Sequence, residues 1–481
     1  MVGVDLQRAL QMKRTTIVRT LLVVMAISVV GCSKGHNSSD TTTKPTLAAF
    51  NAVPDMPDIT FLRVEEVWSS MTYGVGTSYR TVDPDSYKLH FDARLPGDDT
   101  ATCGGDLDKD GVKDTNECTR LNESDVHLID GHEYLATILG HSGALSVTLY
   151  DDTPHVFSTT SNNGTGDTDT QVQFFNWSST LGSFDVYLEP PGTNLSVTQA
   201  KATLAPGQEF NGMVPQGTYV ISLTPVGDPN NPFYLSTTLD VTQRTHVGFA
   251  ILDATTESTS SVKVSRFRDQ GGDLFDRRAP TLLRMSHVAP NAANIDVYAQ
   301  ENYTAPLFPN IALKQTSAYA VLDPTTLNPL ELDITPAGNV GVLLDRRQIP
   351  VSSGVRSTVF LVDGSNGTVD QLLAIDQARK MAPFAQLRLV NTVPQSLDYY
   401  VIPHGNNVYT STVSQTLSPA TIGATVQFAP GDYDVVLMRQ GTTTIVFGPQ
   451  MVTMAGDGLY TIVGVPTADI TRADILPLGD F

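Results

Sequence analysis

Basic residues are scarce in this sequence and nowhere clustered. Lys and Arg total 30 of 481 residues against 50 Asp and Glu, a formal net charge of -20. A surface that binds nucleic acid needs grouped Lys and Arg facing phosphates, so that class of partner is excluded. Long apolar runs are also missing. The longest, Leu21–Val30, is too short for a hydrocarbon core that needs about 20 residues. No stretch of ten or more residues carries helical periodicity, and no glycine-rich loop follows a strand and opens a helix. Charged residues make up only 17%. What the chain does have is 41% hydrophobic residues with abundant Thr, Val, Ser and Gly. That is enough apolar surface to offset chain entropy, and it suits an exported β protein better than a helical cytosolic enzyme.

Residues 1–31 read as a signal peptide. Met12-Lys13-Arg14 opens a positive segment that runs to Arg19, Leu21–Val30 supplies the apolar region, and Met12 makes a better start than Met1. Val29-Val30-Gly31-Cys32 resembles the bacterial lipobox. The resemblance implies cleavage after Gly31, acylation of Cys32, and, with Ser33 rather than Asp next, retention in the outer membrane as a lipoprotein. Several acyl chains anchor stably, at about 0.8 kcal/mol per buried CH₂. Residues 32–45 are polar and aperiodic, a flexible tether.

The remainder repeats. An opening strand–turn–strand occurs four times, with Asn51, Asn176, His287 and Asn391 at one position, a little over 100 residues apart. A downstream element, a glycine followed by alternating residues, is found at Gly217–Leu223, at Gly431–Leu437 and, more weakly, at Gly338–Leu344; Ser86–Phe91 takes its place in the first copy. A hairpin closes each copy. These patterns predict an all-β chain of about four tandem immunoglobulin-like β-sandwiches, each of about seven strands. The boundaries are 46–158, 171–268, 280–378 and 384–481, with linkers at 161–170 and 269–273 and a tighter junction at Met381-Ala382-Pro383. His/Asn-x-x-Pro followed by Asp-Val-Tyr, fullest at His287–Pro290 and Asp296–Tyr298, resembles an uncharacterised family of bacterial surface and lipoprotein domains. That family carries no established catalytic residues, so none are transferred.

One motif carries chemistry. Residues 103–118, CGGDLDKDGVKDTNEC, fit D-x-D-x-D-G-x₅-E at every position. Ca²⁺ takes six to eight hard oxygens. Asp106, Asp108 and Asp110 bring three carboxylates to one centre. Gly111 allows the sharp turn, Val112 offers its carbonyl, Asp114 binds directly or through water, and Glu117 closes the sphere. The flanks are not helical, so the loop is no EF-hand and instead resembles the calcium loops of thrombospondin type 3 repeats. Cys103 and Cys118 are the only cysteines besides Cys32, and export places them where disulfides form. A bridge closing a loop of about 16 residues contributes about 3 kcal/mol and replaces the helix pair as the clamp. One such site in four copies is expected to be structural.

Other signals are expected to be structural too. Gly140-His141-Ser142-Gly143-Ala144 falls short of G-x-S-x-G and joins strand to strand, where a nucleophile elbow joins strand to helix. His127 and His132 make no metal pair. His287 takes the place of Asn in a hydrogen-bonding role, and Asp185 and Asp296 are turn or strand-end carboxylates. The expected function is non-enzymatic: a lipid-anchored envelope protein, periplasmic or surface-facing, that binds, adheres or scaffolds, with a protein or polysaccharide ligand. The alternatives are an accessory subunit of an envelope assembly and an envelope hydrolase with its site between domains.

Overall fold

The computed structural model describes residues 44–98, 103–104, 117–151, 168–268, 271–323, 329–364, 368–376, 378–469 and 471–479. The signal, Cys32 and most of the tether lie outside them. So do Asp106, Asp108, Asp110, Val112 and Asp114.

The described residues form four tandem immunoglobulin-like sandwiches of two sheets each. Unit one holds β1 (Thr46–Ala52), β2 (Ile59–Arg63), β3 (Glu66–Met71), β4 (Arg80–Thr81), β5 (Ser86–Ala93), β6 (Thr119–His127), β7 (Glu133–His141) and β8 (Ala144–Asp151). Unit two holds β9 (Asp169–Asn176), β10 (Phe184–Glu189), β11 (Ala202–Leu204), β12 (Glu209–Pro215), β13 (Gly217–Pro225), β14 (Tyr234–Leu235), β15 (Leu239–Val241), β16 (His246–Asp253), β17 (Val262–Phe267) and β18 (Gly272–Leu274). Unit three holds β19 (Thr281–His287), β20 (Ile295–Ala299), β21 (Phe308–Ile311), β22 (Ala320–Leu322), β23 (Leu330–Pro336), β24 (Asp345–Ile349), β25 (Arg356–Asp363) and β26 (Val369–Ile375). Unit four holds β27 (Ala385–Asn391), β28 (Leu397–Pro403), β29 (Gln415–Leu417), β30 (Thr421–Ile422), β31 (Val426–Phe428), β32 (Gly431–Arg439), β33 (Ile445–Met454), β34 (Leu459–Pro466) and β35 (Ala473–Gly479).

In unit one the sheet orders are β4-β1-β7-β8 and β3-β2-β5-β6, and units two to four repeat the plan with small additions. Each unit thus divides its strands between two sheets of four or five, where about seven strands were expected. The opening strand runs parallel to the first strand of the closing hairpin, as in β1 with β7 and β19 with β25. Two other expectations need correction. Gly338–Leu344 is not the strand of the third copy. That strand is β23, whose Leu330, Leu332 and Ile334 are fully buried, while Val340, Val342 and Leu343 are about half exposed. Gly338 instead sits in the turn beyond it at φ +73°. Gly272 and Asp273, read as part of a linker at 269–273, open β18, which pairs with β17.

Each sandwich has its own core, such as Leu47, Phe61, Trp68, Phe91 and Ile138 in unit one. The opening strands are buried on their outer faces as well. From β1, Leu47 and Ala49 point into unit one, while Ala48, Phe50 and Ala52 join Phe175, Trp177, Ala250, Leu252 and Phe267 of unit two. Phe50 lies 4.9 Å from Trp177 and 5.2 Å from Phe267, centroid to centroid. Trp177 Nε1 donates to Tyr150 Oη at 2.9 Å. Gly248 has no side chain where the Phe267 ring lies; a Cβ there would come within 2.4 Å of it. Units three and four pair through the same faces, with Val288, Phe360 and Val362 against Val390, Val463 and Val465. Two-sided burial suits the nearly continuous apolar run of β1, whereas β9, β19 and β27 alternate and bury Gln173, Arg284 and Arg388 on the second face. Full burial of each large side chain contributes about 1.5–3 kcal/mol.

A charged network crosses the second pairing. Arg388 of β27 forms an ion pair with Asp376 at 2.7 Å, both almost fully buried. The Arg388 guanidinium also donates to Ile375 O and Thr461 Oγ1, each at 3.1 Å. Asp376 further accepts from Tyr319 Oη at 2.8 Å and Thr358 Oγ1 at 2.6 Å. Arg284 donates to Thr358 at 2.8 Å and lies over the Tyr319 ring.

Candidate functional site

Three of the four Asn/His positions do one job, while the fourth, Asn176, instead donates its amide to Gly182 O and Leu204 O. Asn51, His287 and Asn391 are fully buried, and each accepts from the backbone N–H two residues on: Val53 at 3.0 Å, Ala289 at 3.3 Å and Val393 at 3.0 Å. Histidine Nδ1 stands in for the amide oxygen. Burial pulls the His287 pKa down, which keeps that nitrogen available as an acceptor. The Asp before Val-Tyr, or before Tyr-Tyr in unit four, is equally consistent. Asp185, Asp296 and Asp398 accept from the turn amides of Gly227, Gly338 and Gly441 at 2.7–2.8 Å. Unit one has Thr60 in that place. These carboxylates tie a strand to a turn. Unit three carries the fullest form of both motifs.

Residues 281–396 match a domain of unknown function, DUF4397. The match spans unit three and ends beyond β27 of unit four. No curated protein matches the chain. Among solved structures, the Bacillus anthracis TIE protein aligns at 9% identity and a TM-score of 0.14, over 84% of this chain and 65% of its own. The chain therefore spans less than two thirds of that relative, and a likeness at that score carries no structural argument.

Outside the DUF4397-matched residues, the calcium-loop base and the contacts between units hold further clusters of polar side chains. At the base of the predicted calcium loop, Cys103 and Cys118 are bridged, with their Cα atoms 5.1 Å apart. Glu117, the closing position of the motif, is 5% exposed. Beside it the buried Asp98 accepts from the backbone N–H of Leu95 at 2.8 Å and of Thr119 at 3.1 Å. The loop ends are thus clamped. A buried closing carboxylate on a bridged base, followed back along the chain by Asp at the spacing of a hard-oxygen donor set, fits Ca²⁺. Among the described residues no group of three or more His, Cys, Asp or Glu is placed to hold a metal ion.

The His141-Ser142 turn joins β7 to β8 as a hairpin, strand to strand. His141 nevertheless stands where units one and two meet. Its Nε2 is 2.8 Å from Ser179 Oγ and its Nδ1 is 3.5 Å from Asp55. Ser179 Oγ donates to Asp253 at 2.7 Å, so His141 Nε2 is the donor to Ser179 and is not placed to take its proton. Asp253 also accepts from Ser178 and Thr180. Burial alone would raise its pKa, but these hydrogen bonds outweigh burial and hold it at about 2. Asp363, at the same strand end in unit three, likewise accepts from the Asn291 N–H. The arrangement caps a turn.

A histidine that sequence reasoning passed over is His90 on β5. It is 2% exposed and lies 3.3 Å from Glu65 and 3.2 Å from Glu123. Burial and the neighbouring Arg120 lower its pKa despite those carboxylates.

The sequence also showed no sign of a cleft of about 610 Å³ where units one, two and four meet the end of β26 in unit three and the 378–384 junction. The junction is well held. Arg379 Nη1 donates to Pro54 O at 2.7 Å and Met56 O at 2.6 Å in unit one, and Ala382 N donates to Asp55 O at 2.7 Å. Thr256 of unit two donates to Ala378 O at 2.6 Å. Tyr73 Oη reaches Asp253 O at 2.8 Å, and the Arg379 guanidinium lies 5.6 Å from the Tyr73 ring. Burial lowers the Arg379 pKa and raises that of Tyr73 well above the usual tyrosine value. Around this floor stand Asp58, Glu257, Lys263, Asp273, Gln386 and Gln427. No local signal could have revealed them together, because they come from three separate units.

Proposed function

We propose that this protein is a non-catalytic binding or scaffolding component of the bacterial cell envelope. It is held to the outer membrane by acyl chains on Cys32, and its first unit is stabilised by one calcium ion in the 103–118 loop. The observation that carries a binding role is the cleft built jointly by units one, two and four, the end of β26 in unit three and the junction. Its volume falls in the range of small-ligand sites, about 300–1,000 Å³. The paired sandwiches bury their opening-strand faces in one another, so neighbouring units are held together as a scaffolding role would require. The uncharacterised domain matched over 281–396 is compatible with this reading.

Calcium would be held by Asp106, Asp108, Asp110, the Val112 carbonyl, Asp114 and Glu117. It would supply charge compensation for five carboxylates crowded into twelve residues. Two measurements test the reading. Cells fed an alkyne palmitate analogue should label the protein, and Cys32→Ser should abolish the label. Calcium should raise the first unit's melting temperature and a chelator should lower it. An unlabelled protein, or a melting profile indifferent to both additions, would overturn the corresponding half.

A further inference from the structure

The central cleft has a composition that selects its ligand. Three carboxylates, Asp58, Glu257 and Asp273, face two cations, Lys263 and Arg379, so the lining is close to charge balance. Lys263 and Asp273 are already paired at 2.8 Å. Arg379 spends one nitrogen on two backbone carbonyls, which fixes its plane. An anion entering would meet three carboxylates, and a cation would meet an ammonium and a guanidinium. A nucleic acid or an acidic polymer is disfavoured further by the net charge of -20.

What remains well matched is a neutral ligand dense in hydroxyl groups. Carboxylates accept, the guanidinium donates, and the Gln427 amide does both. Planar two-pronged groups suit adjacent hydroxyls, whose geometry they can satisfy in pairs. Val75 and Ile375, 47% and 45% exposed, add an apolar surface within the same lining. A sugar ring, with C–H groups on its faces and hydroxyls at its rim, meets both kinds of surface. We infer that the cleft between units one, two and four is a binding site for a neutral carbohydrate. The inference rests on the binding role proposed above and names its ligand class.

The test uses the full chain and four neutral disaccharides as probes: cellobiose, maltose, lactose and chitobiose. Saturation-transfer NMR detects binding, and calorimetric titration measures it. At least one sugar is expected to bind at millimolar concentration. Asp58→Asn and Gln427→Ala, both at exposed positions, are expected to weaken that affinity by about tenfold each. Their tryptophan emission should match the parent, showing the fold intact. Citrate and tetralysine serve as charged controls and are expected not to compete. The inference is overturned if no disaccharide binds, if binding is indifferent to both variants, or if either charged control displaces the sugar. Such a failure leaves palmitate labelling and the calcium response untouched, so it is distinguishable from failure of the envelope reading.

Discussion

Asp253 offers the sharpest quantitative test of the contact between units one and two. Its carboxylate is 6% exposed and gathers hydroxyl and backbone donors from Ser178, Ser179 and Thr180. Those bonds overcome the burial that would otherwise raise its pKa, and they hold it at about 2, against an ordinary 3.8. Each pKa unit is worth about 1.4 kcal/mol, so the ionised form contributes about 2 kcal/mol to folding at neutral pH. Because the folded pKa is depressed, the contribution is complete above about pH 4 and is lost as the pH falls toward 2. Asp253→Asn should therefore cost about 2 kcal/mol at pH 7, and the difference from the parent should shrink between about pH 4 and pH 2. Urea unfolding followed by tryptophan emission reads the right region, since the only two tryptophans are Trp68 in the core of unit one and Trp177 between units one and two. A penalty under about 0.5 kcal/mol, or one that stays constant down to pH 2, would refute the reasoning.

Phe50→Ala removes the ring that units one and two close upon and should cost about 3–5 kcal/mol, with the Trp177 emission shifting to the red as water enters. Arg388→Met leaves Asp376 buried without its ion-pair partner and should cost about 3–5 kcal/mol. Hydrogen exchange should then quicken in β26 and β27, where units three and four meet, while β1 and β9 keep their protection. Glu117→Gln should remove most of the calcium-dependent rise in melting temperature. If the bridge alone orders the loop, the variant will respond to calcium as the parent does.

The architecture was legible because strands advertise themselves locally. Period-two alternation, turn glycines and the recurrence of one opening motif pointed to tandem sandwiches, and the structure has them. The turn at Gly140–Gly143 was recognised as a hairpin because apolar alternation flanks it on both sides. The third copy went wrong for a physical reason. Gly338 feeds its N–H to Asp296 just as Gly227 and Gly441 serve Asp185 and Asp398, so it marks the turn after a strand, whereas Gly217 and Gly431 begin one. A glycine looks the same in sequence in either role.

The sequence alone determined the β class, the repeat, the bridged cysteine pair and the spacing of the acidic loop, because each depends on neighbours within a few turns of chain. Tertiary structure alone decided that the sandwiches associate in pairs, that Arg388 finds Asp376 across such a pairing, and that Asp58, Glu257 and Gln427 line one cleft. Those outcomes depend on how whole sheets stack. Stacking depends on which outer faces are apolar and complementary, and residues hundreds of positions apart leave no shared local mark of it.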